Sequence, residues 1–265
     1  MLDLRPRIRH AKRMEKPQTI PHSPIIIIPA RMASTRLPGK PLADIHGHPM
    51  IVHVWRRAVE SGIGPVVVAC DALAIVEAIE KAGGHAVMTN PDHPSGSDRI
   101  WEALNTQDGG EKYDAIINVQ GDLPLIDPKA IRSAYELLIN PSVDIATLAV
   151  EIKNEAEKTA NQVTKAVFDL ETGATHGRAL YFSRNAIPSN EGPLYHHVGL
   201  YAYRRDALAR FVKAKPSPLE LREKLEQLRA LALGMHIEVG VINTVPMGVD
   251  TPEDLEVARK LLGQK

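Results

Sequence analysis

From residue 24 onward, short apolar runs alternate with longer amphipathic segments. The apolar runs are rich in Ile and Val, which is typical of strands buried on both faces of a parallel sheet. The segments between them carry apolar residues at helical spacing, with Pro near their starts and Gly after their ends. Strands are predicted at residues 25–29, 66–69, 86–88, 115–119 and 145–150, and helices at 49–61, 72–82, 98–105 and 127–139. This alternation predicts right-handed βαβ units and a largely parallel sheet.

The pattern loosens between about residues 154 and 203. Strands predicted at 163–168, 179–182 and 198–203 have no regular helices between them, so parts of this stretch are expected to be antiparallel, or to form a flap or a dimer surface. A capping box at 217–220 then begins a helix predicted to run to residue 233, and a second capped helix begins at 251. Residues 24–265 are therefore expected to form a single α/β domain with a mixed, mainly parallel sheet.

Composition and charge limit the classes of molecule that this protein is expected to bind. The chain has 265 residues, 32 basic and 32 acidic side chains, and only 4% aromatic residues. Because the charges balance and aromatic residues are scarce, no nucleic-acid partner is expected. The apolar run at 25–28 is too short to span a bilayer, so no membrane partner is expected either. The single cysteine, Cys70, excludes an intrachain disulfide and favours a reduced, cytoplasmic protein. Residues 1–23 are basic and lack an apolar core, which predicts a disordered extension.

A basic loop follows the first predicted strand, where ligands of open α/β sheets bind. Residues 29–41 contain Arg31, Arg36 and Lys40 and no acidic residue, and Gly39 allows a tight bend. Arginine forks, a lysine point charge and backbone N–H groups suit a polyphosphate, whereas a solvated basic loop is the alternative. The loop lacks the spacing of the nucleotide P-loop, and the sequence has no dinucleotide fingerprint.

Two further loops carry polar residues beyond predicted strands. Residues 92–99 end at a predicted helix N-terminus, which favours anionic or polar ligands, although capping of that helix explains the same residues. Asp122 follows the apolar strand 115–119, and a carboxylate placed there must be paired or bound to a metal. Asp122 is therefore a candidate Mg²⁺ ligand, and Asp250 before the last helix is a second, with an N-cap role as its alternative. Sequence spacing does not show that they meet.

These segments together resemble the 3-deoxy-manno-octulosonate cytidylyltransferase family, within the nucleotide-sugar pyrophosphorylase superfamily. The resemblance extends over residues 24–262 and is carried, in order, by PARMASTRLPGKPL, MTNPDHPSGSDR, NVQGDLP, ALYFSRNAIP, HHVGLYAYRR, PSPLE, LEQLRAL and GVDTPEDLE. It implies a nucleotide-sugar transferase-like domain and a nucleotidyltransferase that transfers CMP from CTP to a sugar acid, 3-deoxy-manno-octulosonate. Pyrophosphate would be released, and the product would serve lipopolysaccharide synthesis. The resemblance also implies a magnesium (Mg²⁺) cofactor and a homodimer.

The resemblance also assigns roles to individual residues. Catalysis would rest on Lys40, Arg36 and Asp122, and Mg²⁺ would be held by Asp122 and Asp250. The nucleotide would be bound by Ala30, Arg31, Arg36, Lys40, Ser97, Arg99 and Gln120. The sugar acid would be bound by Arg184, His197, Glu226 and Gln227.

The sequence departs from the family pattern in three places. Leu123 stands where the family commonly has glutamate, so no polar role is assigned to it. Only Lys165 is retained from an Asn-x-Val-Lys pattern, and residues 188–195 are fewer than in the family, which would trim a dimer-forming excursion. Two alternatives stay open, a cytidylyltransferase for sialic acid or another sugar acid, and a non-catalytic nucleotide-sugar sensor. Intact Lys40 and the two aspartates count against the sensor.

Overall fold

A computed structural model describes residues 20–108 and 112–263. The basic extension predicted at 1–23 lies mostly outside these residues, and its disorder stays a prediction. The first strand begins at Pro24, where the sequence pattern places the start of the domain.

The described residues form these strands: β1 Pro24–Ala30, β2 Asp44–Ile45, β3 His48–Pro49, β4 Val66–Cys70, β5 His85–Met88, β6 Ala115–Asn118, β7 Ile145–Glu151, β8 Lys165–Asp169, β9 His176–Ser183, β10 Tyr195–Arg204 and β11 Ile237–Val241. The α-helices are α1 Met50–Glu60, α2 Leu73–Lys81, α3 Gly96–Asp108, α4 Pro128–Glu136, α5 Glu155–Thr159, α6 Arg205–Lys213, α7 Pro218–Glu223, α8 Gln227–Ala232 and α9 Pro252–Leu262. Short 3-10 helices occur at Lys40–Leu42 and Leu137–Ile139. Across the described ranges, none of these helices combines the length and apolar character needed to cross a bilayer.

The main sheet has nine strands in the order β5-β4-β1-β6-β10-β7-β11-β9-β8. Strands β5, β4, β1 and β6 are parallel, and β7 pairs with β11 in parallel. Strand β10 runs antiparallel to both neighbours, and β9 runs antiparallel to β11 and β8. The predicted mixed sheet and the antiparallel pairing between residues 154 and 203 are confirmed. A further pairing of β10 with β8 closes the last five strands into a ring.

Strand β1 shows why the first half of the sheet is parallel and buried. Its four consecutive isoleucines are each no more than 1% exposed. Alternate side chains point to opposite faces of a strand. Ile26 and Ile28 pack with residues of α1, α2 and α4, whereas Ile25 and Ile27 pack with residues of α3, α6 and α8. Helices thus cover both faces, and the carboxyl ends of the parallel strands stay open at one edge.

The single helix predicted over 217–233 is wrong. The chain forms α7 and α8 instead, because Lys224 adopts a left-handed backbone conformation with φ of 57°. Arg229 in α8 donates through Nε to Glu220 in α7 at 2.9 Å, and both side chains are buried. This ion pair folds the second helix back against the first. The sequence analysis also missed α5, α6, β11 and the small β2–β3 hairpin.

Candidate active site

The basic loop leaves β1 at the carboxyl edge of the sheet and ends in the 3-10 helix Lys40–Leu42. Gly39 precedes that helix with a φ of 66°, a left-handed conformation that favours glycine. The loop after β6 approaches from the neighbouring strand. A side chain at Gly121 would place its Cβ 2.7 Å from the carbonyl oxygen of Pro29, so this close approach requires glycine. The two loops therefore meet in space.

A cleft of about 760 Å³ opens where these loops meet. All three candidate loops line it, together with Asp250 from the segment before α9. The predicted site residues on its wall are Ala30, Arg31, Arg36, Lys40, Arg99, Gln120, Asp122, Glu226 and Asp250. The topology therefore brings together side chains that are far apart in the sequence.

Lys40 is the centre of the charged cluster in the cleft. Its Nζ donates to Asp122 Oδ2 at 2.8 Å and to Asp250 Oδ1 at 3.0 Å. Arg36 Nη2 lies 3.1 Å from the other oxygen of Asp250. The two aspartates, 128 positions apart by their numbers, thus share one ammonium group. The structure thus brings together two carboxylates whose proximity the sequence spacing does not show.

Protonation in this cluster follows from burial and charge. Burial lowers the pKa of the Lys40 ammonium, but the two carboxylates outweigh burial and raise that pKa above its usual value. Burial raises the pKa of Asp250, and the contacts with Lys40 and Arg36 outweigh it, so that pKa is lowered. Lys40 and Asp250 are therefore both charged at neutral pH. Two converging carboxylates are the hard oxygen ligands that Mg²⁺ takes beside phosphate oxygens and waters, so the donor set fits that ion.

A second cavity of about 230 Å³ adjoins the cleft, and Gly96, Gln120 and Glu226 line both. Ser97 and Gln227 line this second cavity, as expected for residues of the site. Its wall also includes residues that the sequence analysis missed: Asn118, Tyr201, Tyr203 and Lys224. Tyr201 and Tyr203 lie two residues apart in β10, so their side chains share one face of the strand. This period-two spacing of aromatic residues is the signal that could have found them.

Glu226 stands between the two cavities because the break between α7 and α8 places it there. Ser97 Oγ donates to Glu226 Oε2 at 3.4 Å. Burial raises the pKa of the Glu226 carboxyl, although the nearby Arg229 opposes that shift. Burial likewise raises the pKa of the Tyr201 and Tyr203 hydroxyls, so both stay protonated as hydrogen-bond donors. The second cavity is thus an aromatic chamber with polar groups at its junction with the cleft.

Arg184 and His197 lie outside the walls of both cavities. Arg184 donates to the carbonyl oxygens of Asn161 and Glu223 at 3.1 and 3.3 Å. His197 is buried, and its Nε2 lies 3.0 Å from Thr147 Oγ1. Burial lowers the pKa of His197 to about 3, so the ring is neutral at pH 7. Their roles toward a sugar acid stay predictions.

The two residues singled out as departures have clear positions. Leu123 is 8% exposed and packs in the apolar core, which explains why no polar group is needed there. Lys165 is fully buried and donates to the carbonyl oxygens of Ala160, Val163 and Arg184 at 2.8, 2.9 and 3.0 Å. Lys165 therefore ties the end of β9 to the segment before β8.

A basic loop and two carboxylates at the carboxyl edge of a mixed α/β sheet suit a nucleotidyltransferase. A family model described as cytidylyltransferase matches residues 25–237. The chain is 62% identical to a 3-deoxy-manno-octulosonate cytidylyltransferase of Paramagnetospirillum magneticum over 240 residues, which are 91% of this chain and 98% of that protein. It therefore belongs to the 3-deoxy-manno-octulosonate cytidylyltransferase family.

Further relatives agree with this assignment. An enzyme of the same name from Rhodospirillum centenum is 61% identical over 242 residues, which are 91% of this chain and 94% of that protein. The chain also resembles a solved structure of a CMP:2-keto-3-deoxy-manno-octonic acid synthetase complexed with CTP. That likeness has a TM-score of 0.85 and 39% identity, over 92% of this chain and 99% of the solved chain. The predicted fold class is confirmed.

Proposed function

We propose that this protein transfers CMP from CTP to 3-deoxy-manno-octulosonate and releases pyrophosphate. The observation that carries the proposal is the pair of adjoining cavities, which share Gln120 and Glu226. One is the larger cleft with Arg31, Arg36 and Lys40 on its wall, suited to a triphosphate. The other is a small aromatic chamber suited to an acceptor. A relative that is 62% identical carries the name of this activity.

In this reaction an acceptor hydroxyl attacks the α-phosphorus of CTP. The new oxygen–phosphorus bond forms as the bond to the leaving pyrophosphate breaks, and the hydroxyl proton passes to water. Positioning and charge neutralisation dominate such transfers. We assign Arg31, Arg36 and Lys40 to the phosphates, and Arg99 and Gln120 to the nucleoside. Ser97 lines the second cavity and would contact the nucleoside where the two cavities meet, beside Glu226. Glu226 and Gln227 would bind the acceptor, with Arg184 and His197 approaching it from outside the cavity wall.

We propose Mg²⁺ as the cofactor, held by Asp122 and Asp250. When bound, it would neutralise phosphate charge and favour loss of the hydroxyl proton. Lys40 now satisfies both carboxylates, and its ammonium group would turn to a phosphate oxygen when the nucleotide is present. Arg36, already 3.1 Å from Asp250, would hold the second oxygen of that carboxylate.

The acceptor is tested by measuring pyrophosphate release from CTP and magnesium with 3-deoxy-manno-octulosonate, with sialic acid and without a sugar. Pyrophosphate release is expected with 3-deoxy-manno-octulosonate and not with sialic acid or without a sugar. Preference for sialic acid would replace this proposal by the alternative acceptor. CTP binding without turnover on any sugar acid would favour the nucleotide-sugar sensor. Omission of magnesium in a parallel series tests the cofactor.

We also propose that the protein is a cytoplasmic homodimer. The free thiol of Cys70 is buried, which fits a reducing compartment. Leu180 in β9 and Leu221 in α7 are 59% and 66% exposed, and a dimer interface could cover such apolar side chains. Sedimentation equilibrium measures the mass in solution. A monomer at micromolar concentration would contradict the proposed assembly.

A further inference from the structure

Asp71 lies directly behind the basic loop, outside the walls of both cavities. It follows β4, whose last residue Cys70 is paired with Ala30 at the end of β1. The Asp71 side chain is only 10% exposed. A carboxylate with so little access to water is costly unless it is paired. The hydrogen-bond and ion-pair partners of the Asp71 carboxylate therefore indicate its role.

Each oxygen of Asp71 has its own partner. Oδ1 accepts a hydrogen bond from the backbone N–H of Met32 at 2.9 Å, immediately after Arg31. Oδ2 lies 3.7 Å from Arg99 Nη2. Asp71 thus connects the first residues of the basic loop with a guanidinium that lines the cleft.

Arg99 is itself fixed on its other side. Its Nη1 donates to Thr89 Oγ1 at 2.5 Å, and the Thr89 hydroxyl donates to the carbonyl oxygen of Cys70 at 2.9 Å. Arg99 and Thr89 are 3% and 5% exposed. A buried chain of contacts therefore runs from the ends of β4 and β5 through Arg99 and Asp71 to Met32. Packing and hydrogen bonds of this kind hold a side chain in one geometry.

We propose that Asp71 is a positioning residue for the transfer reaction. Its carboxylate, oriented by Arg99, holds the start of the basic loop so that Arg31, Arg36 and Lys40 meet the triphosphate. This inference rests on the proposed function, because it assumes that the cleft binds CTP. Asp71 itself does not touch the nucleotide. Without Asp71 the loop loses the carboxylate that accepts the Met32 N–H, whereas Arg99, assigned to the nucleoside, keeps its hydrogen bond to Thr89. Loss of Asp71 should therefore weaken binding of the phosphates more than binding of the nucleoside.

Asp144 provides a matched control for the test. It is 5% exposed, accepts the backbone N–H of His236 at 2.9 Å and forms an ion pair with Arg210. It thus makes the same two kinds of contact as Asp71. It precedes β7, however, at the edge of the sheet opposite the cleft. If Asp71 had only a structural role, substitution of Asp71 and of Asp144 would have the same effect on ligand affinity.

The experiment measures CTP and cytidine affinity by calorimetry with magnesium chloride present, together with the melting temperature. Asp71→Ala should weaken CTP binding about tenfold, the usual effect of one lost charge-assisted contact, and cytidine binding less than about threefold. Asp71→Asn keeps an acceptor for Met32 but loses the charge facing Arg99, so an intermediate loss of about threefold is expected. Asp144→Ala should lower the melting temperature and leave the ratio of CTP to cytidine affinity unchanged.

Several results of these measurements would overturn the positioning role of Asp71. Equal CTP-to-cytidine ratios in the unaltered protein and Asp71→Ala would overturn the positioning role. If the alanine variant does not fold, an unchanged ratio in Asp71→Asn would do the same. A matching loss of the ratio in Asp144→Ala would show a general effect of destabilisation and also overturn it. The unaltered protein tests the proposed function separately, and its failure to bind CTP would overturn both.

Discussion

Replacement of Asp122 by asparagine separates the catalytic role of the charged cluster from its contribution to stability. Lys40 would keep Asp250 as a partner at 3.0 Å, and the Lys40 and Asp122 side chains are 16% and 31% exposed. The loss in free energy of unfolding should therefore be about 1 kcal/mol or less, a melting shift of about 2–4 °C. Loss of one electrostatic stabiliser of a transition state typically lowers kcat by about 10²–10³-fold.

The assay for Asp122→Asn is continuous pyrophosphate release at saturating CTP and sugar acid, with a thermal melt on the same preparation. Asp127→Asn is the control, because Asp127 caps α4 through the Lys129 N–H and lies outside both cavities. Because asparagine caps a helix about as well as aspartate does, that variant should lose little stability and no kcat. A kcat within about threefold of the unaltered protein in Asp122→Asn would refute the reasoning, since the electrostatic effect is expected to exceed that by more than tenfold.

Four further outcomes are expected. Arg36→Ala should raise KM for CTP at least about tenfold, whereas Arg57→Ala, which removes a surface ion pair on α1, should not; steady-state kinetics compares them. Gln227→Ala should raise KM for the sugar acid while calorimetry shows unchanged CTP affinity. Arg229→Ala leaves a buried carboxylate unpaired and should cost about 3–5 kcal/mol in urea unfolding, with a loss near zero contradicting the importance of the pair. Burial raises the pKa of Glu238, but hydrogen bonds from two histidines outweigh burial and bring it below 4.5. The stabilisation by Glu238 should therefore be complete above that pH and disappear as the pH falls through its folded pKa. Unfolding from roughly pH 3 to 6 should show this loss in the unaltered protein and not in Glu238→Gln.

The elements of the first half of the chain follow from the sequence because each has its own local signal. Strand β1 is a run of isoleucines buried on both faces, and α4 begins with Asp127 as N-cap and Pro128 as first residue. Such signals act within a few residues and survive whatever packs around them. The loops after these strands could be assigned to one edge for the same reason, since parallel strands place their carboxyl ends together.

The break between α7 and α8 could not be predicted in the same way. Lys224 adopts a left-handed conformation without the glycine or asparagine that usually marks one. The Glu220–Arg229 pair joins the two helices across this break, and that contact exists only in the folded protein. The meeting of Asp122 with Asp250 depends likewise on how α9 returns to the cleft. Site residues on local motifs were therefore predictable, whereas their mutual distances were not.

The position of β10 has a consequence for synthesis of the chain on the ribosome. Strand β6 is covered on one side by β1 and on the other by β10, which is made much later. Until residues 195–204 emerge, the four parallel strands are present and β6 exposes an open edge of unpaired backbone groups. Open edges of this kind pair readily with other chains. Translation arrested before β10 should therefore yield fragments that aggregate, because nascent chains carry this open edge until β10 emerges.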